Sequence, residues 1–177
     1  MKATTPLPPP KTHSARRQLK GGAVSKLNGS SGVRIRSILV PIDFSIPSLK
    51  AMDYALELAR ETKAKITLLH VLETVAMPEF AGYPLVLPTD ATARSTSEEL
   101  NRLAKQHGYT PEVLKEVKVR KGTPFHEITS AARMLKMDLI VLATHGYTGI
   151  KHVLLGSTAE RVVRHAGCPV LVVPAHP

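Results

Sequence analysis

The chain has 177 residues, enough for one domain, and a hydrophobic content of 43% is enough for a sizeable core. Its formal charge of +10 is concentrated at one end: residues 1–36 hold eight basic and no acidic residues, while the remaining sixteen basic residues face fourteen acidic ones. The body therefore offers no basic-surface argument for nucleic-acid binding, the lone cysteine Cys168 can form no internal disulfide, and no apolar stretch approaches the roughly 20 residues of a membrane-spanning helix. No secretory apolar region follows Met1, so a soluble, cytoplasmic protein is expected.

Residues 1–33 read as a basic, disordered N-terminal tail. Pro6, Pro8, Pro9 and Pro10 interrupt any helix, Gly21, Gly22, Gly29 and Gly32 interrupt the rest, and few large apolar residues are present to offset the ordering entropy. Three readings stay open for it: a passive extension, a contact with an anionic surface through Lys11 to Lys20, or an organelle transit peptide. The early prolines oppose the amphipathic helix that a transit peptide requires.

From residue 34 to residue 177 strands and helices alternate. Arg34 to Asp43 is a strand that becomes continuously apolar before Pro41. Phe44 to Pro47 is a turn into a helix, with Ser45 or Ser48 as its cap and Pro47 suited to the first turn. Leu49, Met52, Ala55, Leu56 and Ala59 then recur at helical spacing. Lys65 to Leu72 is a second strand, apolar enough for burial on both faces. A long connection over 73–90, with Pro78, Pro84 and Pro88, has the length of a lid or flap. A helix runs from about Thr92 to His107 and ends at Gly108, a C-terminal cap. Lys115 to Lys121 alternates as a half-exposed strand near a sheet edge. Gly122-Thr123-Pro124 opens a helix through about Lys136. Asp138 to Ala143 is a fourth strand, a helix follows Ser157 to about His165, and Pro169 to Pro174 is a fifth strand. This alternation predicts an α/β fold with a doubly wound, five-stranded parallel sheet and helices on both faces.

In such sheets ligands lie beyond the carboxyl ends of the strands, where strand order reverses. Three ends carry usable groups: Pro41-Ile42-Asp43, Val71, and Ala143 through Gly146. The fourth strand feeds Thr144-His145-Gly146-Tyr147-Thr148-Gly149, and Gly156-Ser157-Thr158 stands directly before a helix. Glycines let a backbone approach an anion, and free N–H groups at a helix start attract it, with Ser157 and Thr158 as hydroxyl donors. The plain alternatives are that Ser157 is only a cap and that Asp43 only caps the first helix. His145 is either a phosphate contact or an ordinary loop residue. No Walker A or G-x-G-x-x-G pattern occurs. His70, His126, His145 and His152 form no metal spacing, and no Ser-His-Asp set or two-metal acid pair can be assembled.

The chain resembles the universal stress proteins, whose nucleotide-binding branch carries G-2x-G-9x-G-[ST]. Gly146, nine residues and Gly156-Ser157 match its second part, while Ala143 stands where the first glycine falls. Ile38 to Ser45, Leu69-His-Val71, Gly122-Thr-Pro124 and Gly167 to Val173 match as well, so the likeness covers residues 36–174. The resemblance implies a Rossmann-like sheet of order 3-2-1-4-5, with Ile42, Asp43 and Val71 at the nucleoside. It places Ala143, Gly146, Gly156, Ser157 and Thr158 at the phosphates of ATP, with Mg²⁺ accompanying the nucleotide. It also implies a homodimer through the last strand, Val170 to Val173, covering an apolar edge. The expected function is an adenine-nucleotide-binding module of stress response or signalling, with at most slow ATPase activity. The competing reading is a dimeric interaction protein of the same fold whose site Ala143 has closed.

Overall fold

The computed structural model describes residues 34–74, 88–144 and 155–174. Within them the chain alternates as β1 (Ser37–Pro41), α1 (Ile46–Thr62), β2 (Lys65–Glu73), α2 (Asp90–Gln106), β3 (Leu114–Gly122), α3 (Pro124–Met134), β4 (Leu139–Ala143), α4 (Ser157–His165) and β5 (Val170–Val173). Every strand pair is parallel, and the five strands lie in the order β3-β2-β1-β4-β5. This is the expected doubly wound, Rossmann-like sheet of order 3-2-1-4-5. The N-terminal tail, residues 75–87 of the long connection expected over 73–90, and residues 145–154 and 175–177 lie outside the described residues.

The central strand explains why both faces are covered. Ile38, Leu39 and Val40 are all 0% exposed, although successive side chains point to opposite faces. Ile38 and Val40 pack with Ile66, Leu68 and Val141 under Met52, Ala55 and Leu56 of α1 and Leu100 and Ala104 of α2. Leu39 packs with Leu69, Ile140 and Leu142 under Ile128, Ala131 and Ala132 of α3 and Ala159 and Val162 of α4. Each fully buried aliphatic side chain contributes about 1.5–3 kcal/mol, so these two clusters outweigh any surface ion pair. Cys168 packs half-buried against the α3/α4 cluster, and burial, then the charge of Asp138, pushes its thiol up from the ordinary value.

Local signals set the element ends. Of the two expected caps for α1, Ser45 is the N-cap, its hydroxyl accepting from the Ser48 amide, with Pro47 in the first turn. The helix stops where Lys63 takes a left-handed φ of 57°. α2 starts two residues before the expected Thr92, because the Thr89 side chain caps it by accepting from the Thr92 amide at 3.1 Å. Gly108 terminates it with φ of 78°, as its position after the periodic run predicted. α3 ends at Met134, short of the expected Lys136, since Lys136 itself is left-handed at φ 51°.

At the amino ends of β1 and β4 a single carboxylate ties two strands together across about a hundred residues of chain. Asp138 Oδ2 accepts from the Arg36 amide at 2.8 Å, the Ser37 amide at 2.9 Å and the Ser37 hydroxyl at 3.0 Å. These bonds, that of Arg36 first, hold the carboxyl below its ordinary range. A depressed folded value means that the stabilisation is fully present above the ordinary carboxylate range, near pH 4, and fades as pH falls through the lower folded value. Asp138→Asn is therefore expected to lower the melting temperature at pH 7 and to flatten the acid limb of the stability curve. Urea unfolding between pH 2 and 7 measures both. On the other side of the ledger, Thr67 Oγ1 on β2 is buried with no hydrogen-bond partner among the described residues. Thr67→Val removes that unmet group at nearly constant shape and should stabilise the fold by about 1 kcal/mol, read from the same unfolding curves.

Candidate functional site

β1 and β4 are neighbours in the sheet, but their following helices depart to opposite faces, which opens a crevice beyond their carboxyl ends. A cavity of about 430 Å³ occupies it. Its walls are Pro41, Ile42, Asp43 and Ser48 from the β1–α1 junction, and Leu69, His70, Val71 and Glu73 from β2. Leu142, Ala143 and Thr144 come from the end of β4, Pro124 and Ile128 from α3, and Gly156, Ser157, Thr158 and Ala159 from the start of α4. Eight of the ten residues expected at the site, Pro41, Ile42, Asp43, Val71, Ala143, Gly156, Ser157 and Thr158, are thus brought around one cavity. The other two, His145 and Gly146, lie outside the described residues.

The wall formed by β1 and β2 is built from acceptors. The Ile42 amide donates to the Leu69 carbonyl at 2.8 Å, so the chain stays zipped to β2 one residue beyond β1. Asp43 Oδ1 accepts from the Ser45 amide at 3.1 Å and the Ser45 hydroxyl at 2.5 Å. Asp43 therefore does part of what its plain reading predicted: it orders the residue that caps α1, and the cap itself is Ser45. Its carboxylate can accept further hydrogen bonds. Phe44, the next residue, has φ of 64°, a left-handed conformation that costs a bulky residue about 1–3 kcal/mol and persists only when its surroundings impose it.

The opposite wall is built from donors. α4 begins at Ser157, and Gly156 at its N-cap is extended, with φ −63° and ψ 152°. Among the described residues no side chain caps this helix, and its first-turn N–H groups, with the Ser157 and Thr158 hydroxyls, stand at the positive end of the helix dipole, where an anion is favoured. Two backbone bonds fix the approach: the Thr144 amide donates to the Val173 carbonyl at 2.9 Å, and the Gly156 amide donates to the Thr144 carbonyl at 2.7 Å. Among the described lining residues none is Lys or Arg, and what they offer an anion is backbone dipoles and hydroxyls. A cavity with carboxylates at one wall and N–H donors at the other suits a ligand with hydroxyl donors at one end and negative charge at the other.

Ala143 raises the question of whether a methyl group blocks this cavity. Among the described residues the non-glycine positions with positive φ are Phe44, Lys63 and Lys136, and Ala143 is not one of them. It is the last residue of β4, 8% exposed, and belongs to the α1/α2-side cluster with Val141 and Val173. The backbone does not need glycine here, and the methyl is spent on core packing.

Sequence reading gave no site role to Ser48, Leu69, His70, Glu73, Pro124, Ile128, Leu142 or Ala159, which also line the cavity, and named Thr144 only within the strand end Ala143 to Gly146. Gly122-Thr123-Pro124 did mark the turn that brings α3 to the cavity. The part of Thr144 is played by its backbone, which no side-chain pattern marks.

The family model described as the Universal stress protein family matches residues 34–174. This chain belongs to the universal stress protein family. Universal stress protein MJ0531 of Methanocaldococcus jannaschii is 36% identical over 151 residues, covering 78% of this chain and 81% of that protein. Among solved structures, universal stress protein UspA from Lactobacillus plantarum aligns with a TM-score of 0.67 at 31% identity, over 79% of this chain and 98% of that one. A universal stress protein solved in complex with cAMP aligns with a TM-score of 0.58 at 27% identity, over 80% of this chain and 98% of that one.

The geometry at Ala143 makes a prediction. Ala143→Gly relieves no strain and removes a buried methyl from a strand, so it should lower stability by about 0.5–1 kcal/mol and leave ligand affinity unchanged. Thermal melts paired with titration check both halves.

Proposed function

We propose that this universal stress protein is an adenine-nucleotide-binding module that takes ATP and acts as a dimer in stress response or signalling. The observation that carries this reading is the pairing, around one cavity, of Asp43 and Val71 with the uncapped start of α4 at Gly156, Ser157 and Thr158. Asp43 would accept from ribose hydroxyls, Ile42 and Val71 would flank the base, and the α4 start would hold the phosphates, with His145 and Gly146 contributing from the loop between β4 and α4. The likeness to a relative solved with cAMP supports an adenine nucleotide as the ligand class. No group of three or more His, Cys, Asp or Glu residues that could hold a metal occurs among the described residues. Mg²⁺ is therefore assigned to the nucleotide's phosphates and not to a resident site. Ser157 and Thr158 are the residues whose hydroxyl oxygens would face it.

The alternative, an interaction protein without a ligand, rested on Ala143. The ordinary backbone and core-facing packing of that residue weaken its case. Dimerisation through Val170 to Val173 is supported by the place of β5 at the sheet edge, where among the described strands it pairs only with β4, with Leu171 38% exposed.

Calorimetric titration of the full chain with ATP, with and without Mg²⁺, and with AMP tests the ligand. The expected result is binding by ATP that is weaker for AMP, and that is lost in Gly156→Val, whose side chain would crowd the anion approach. A folded protein that gives no heat with any nucleotide would sink the reading in favour of the interaction protein. Sedimentation of Leu171→Lys tests the dimer: a charge on the edge strand should shift the protein to monomer, and an unchanged assembly would place the interface elsewhere.

A further inference from the structure

One ring on the cavity wall holds both neighbours of Asp43. His70 lies near the end of β2, half-buried. Its Nδ1 is 2.7 Å from the carbonyl oxygen of Ile42. A carbonyl can only accept, so Nδ1 carries the proton, in the neutral ring as in the charged one. The same ring lies against Phe44, with centroids 4.9 Å apart and planes tilted by 48°. Phe44 is the residue with left-handed φ. The residue before Asp43 is thus held by a hydrogen bond from His70, and the residue after it by contact with the same imidazole.

We propose that His70 is the positioning residue for Asp43. By fixing the Ile42 carbonyl it fixes the plane of the Ile42–Asp43 peptide, whose N–H points to Ser48 Oγ at 3.4 Å. By packing on Phe44 it supports the left-handed turn that brings the Asp43 carboxylate round to Ser45. Neither contact is made by the Asp43 side chain itself, so His70 acts on the ligand through the backbone around Asp43. This rests on the nucleotide reading above and deepens it. It makes recognition of the sugar hydroxyls depend on a histidine that need not touch them, and on one tautomer of that histidine.

Two measurements on the full-length protein test this. The first needs no ligand. Nitrogen-15 NMR of the imidazole at a pH where His70 is neutral should show the proton on Nδ1; a proton on Nε2 would overturn the proposal outright. The second compares ATP with 2′,3′-dideoxy-ATP by calorimetry, using the ratio of their dissociation constants as the measure of hydroxyl recognition. In the wild type that ratio should be at least about tenfold, the worth of hydrogen bonds to a charged acceptor. In His70→Ala it should fall towards one. His70→Asn, which keeps a donor near the Nδ1 position, should recover it, and His70→Phe, which keeps a ring without the donor, should not. A purely structural role would lower the melting temperature and weaken both ligands equally, leaving the ratio intact, and that result would overturn this inference alone. A wild type that binds neither nucleotide would overturn the nucleotide reading and this inference with it.

Discussion

The burial of β1 on both faces is the constraint from which the carboxyl end of the sheet follows. A strand whose consecutive side chains Ile38, Leu39 and Val40 are all removed from water needs a helix layer on each side. A chain that covers both faces with right-handed crossovers must reverse direction along the sheet once. That reversal falls between β1 and β4, and the divergence of α1 from α4 there leaves the crevice. The cavity is therefore a by-product of covering the sheet, and the side chains that line it are fitted to a space the core has already defined.

Within that space the chemistry is divided by origin. Carboxylates and carbonyls come from the ends of β1 and β2, where Asp43 and Glu73 stand. Donors come from the backbone at the start of α4, which no side chain among the described residues caps. The division is physical: a parallel strand leaving the sheet frees its last carbonyls, and a helix entering leaves its first amides without partners. A ligand that carries donors at one end and charge at the other completes both sets at once.

Much of this was legible in the sequence because the signals were local. Four apolar runs and one alternating run, interleaved with helical periodicity, gave the sheet class, and the charged alternation of Lys115 to Lys121 placed β3 at an edge. Asp43, Gly156, Ser157 and Thr158 were legible because strand ends and helix starts have known chemistry. The strand order came from family likeness, since nothing in a strand's own residues names its neighbours. The boundaries that slipped did so through single residues: Thr89 outcompeted Thr92 as a start for α2, and Lys136 took a conformation that no lysine advertises. His70 was read against metal spacings and within the Leu69-His-Val71 match, with no role of its own, because its partner Ile42 is 28 positions away and meets it through a backbone carbonyl. Ala143 could be judged only from φ, which a one-letter code does not carry.

The paired bonds of Thr144 bear on how such a protein can change over time. Its amide is bound to Val173 and its carbonyl to Gly156, so one residue supplies the footing for both ends of the segment 145–154. The partners of both bonds stand on β5 and directly before α4. Lengthening a closed segment is cheap, about 0.6 kcal/mol for each doubling. A change in the length of the sequence between Thr144 and Gly156 therefore adds little closure entropy while these two bonds persist. A family could diversify what its members bind by rewriting a cassette of this kind, without having to refold the scaffold each time.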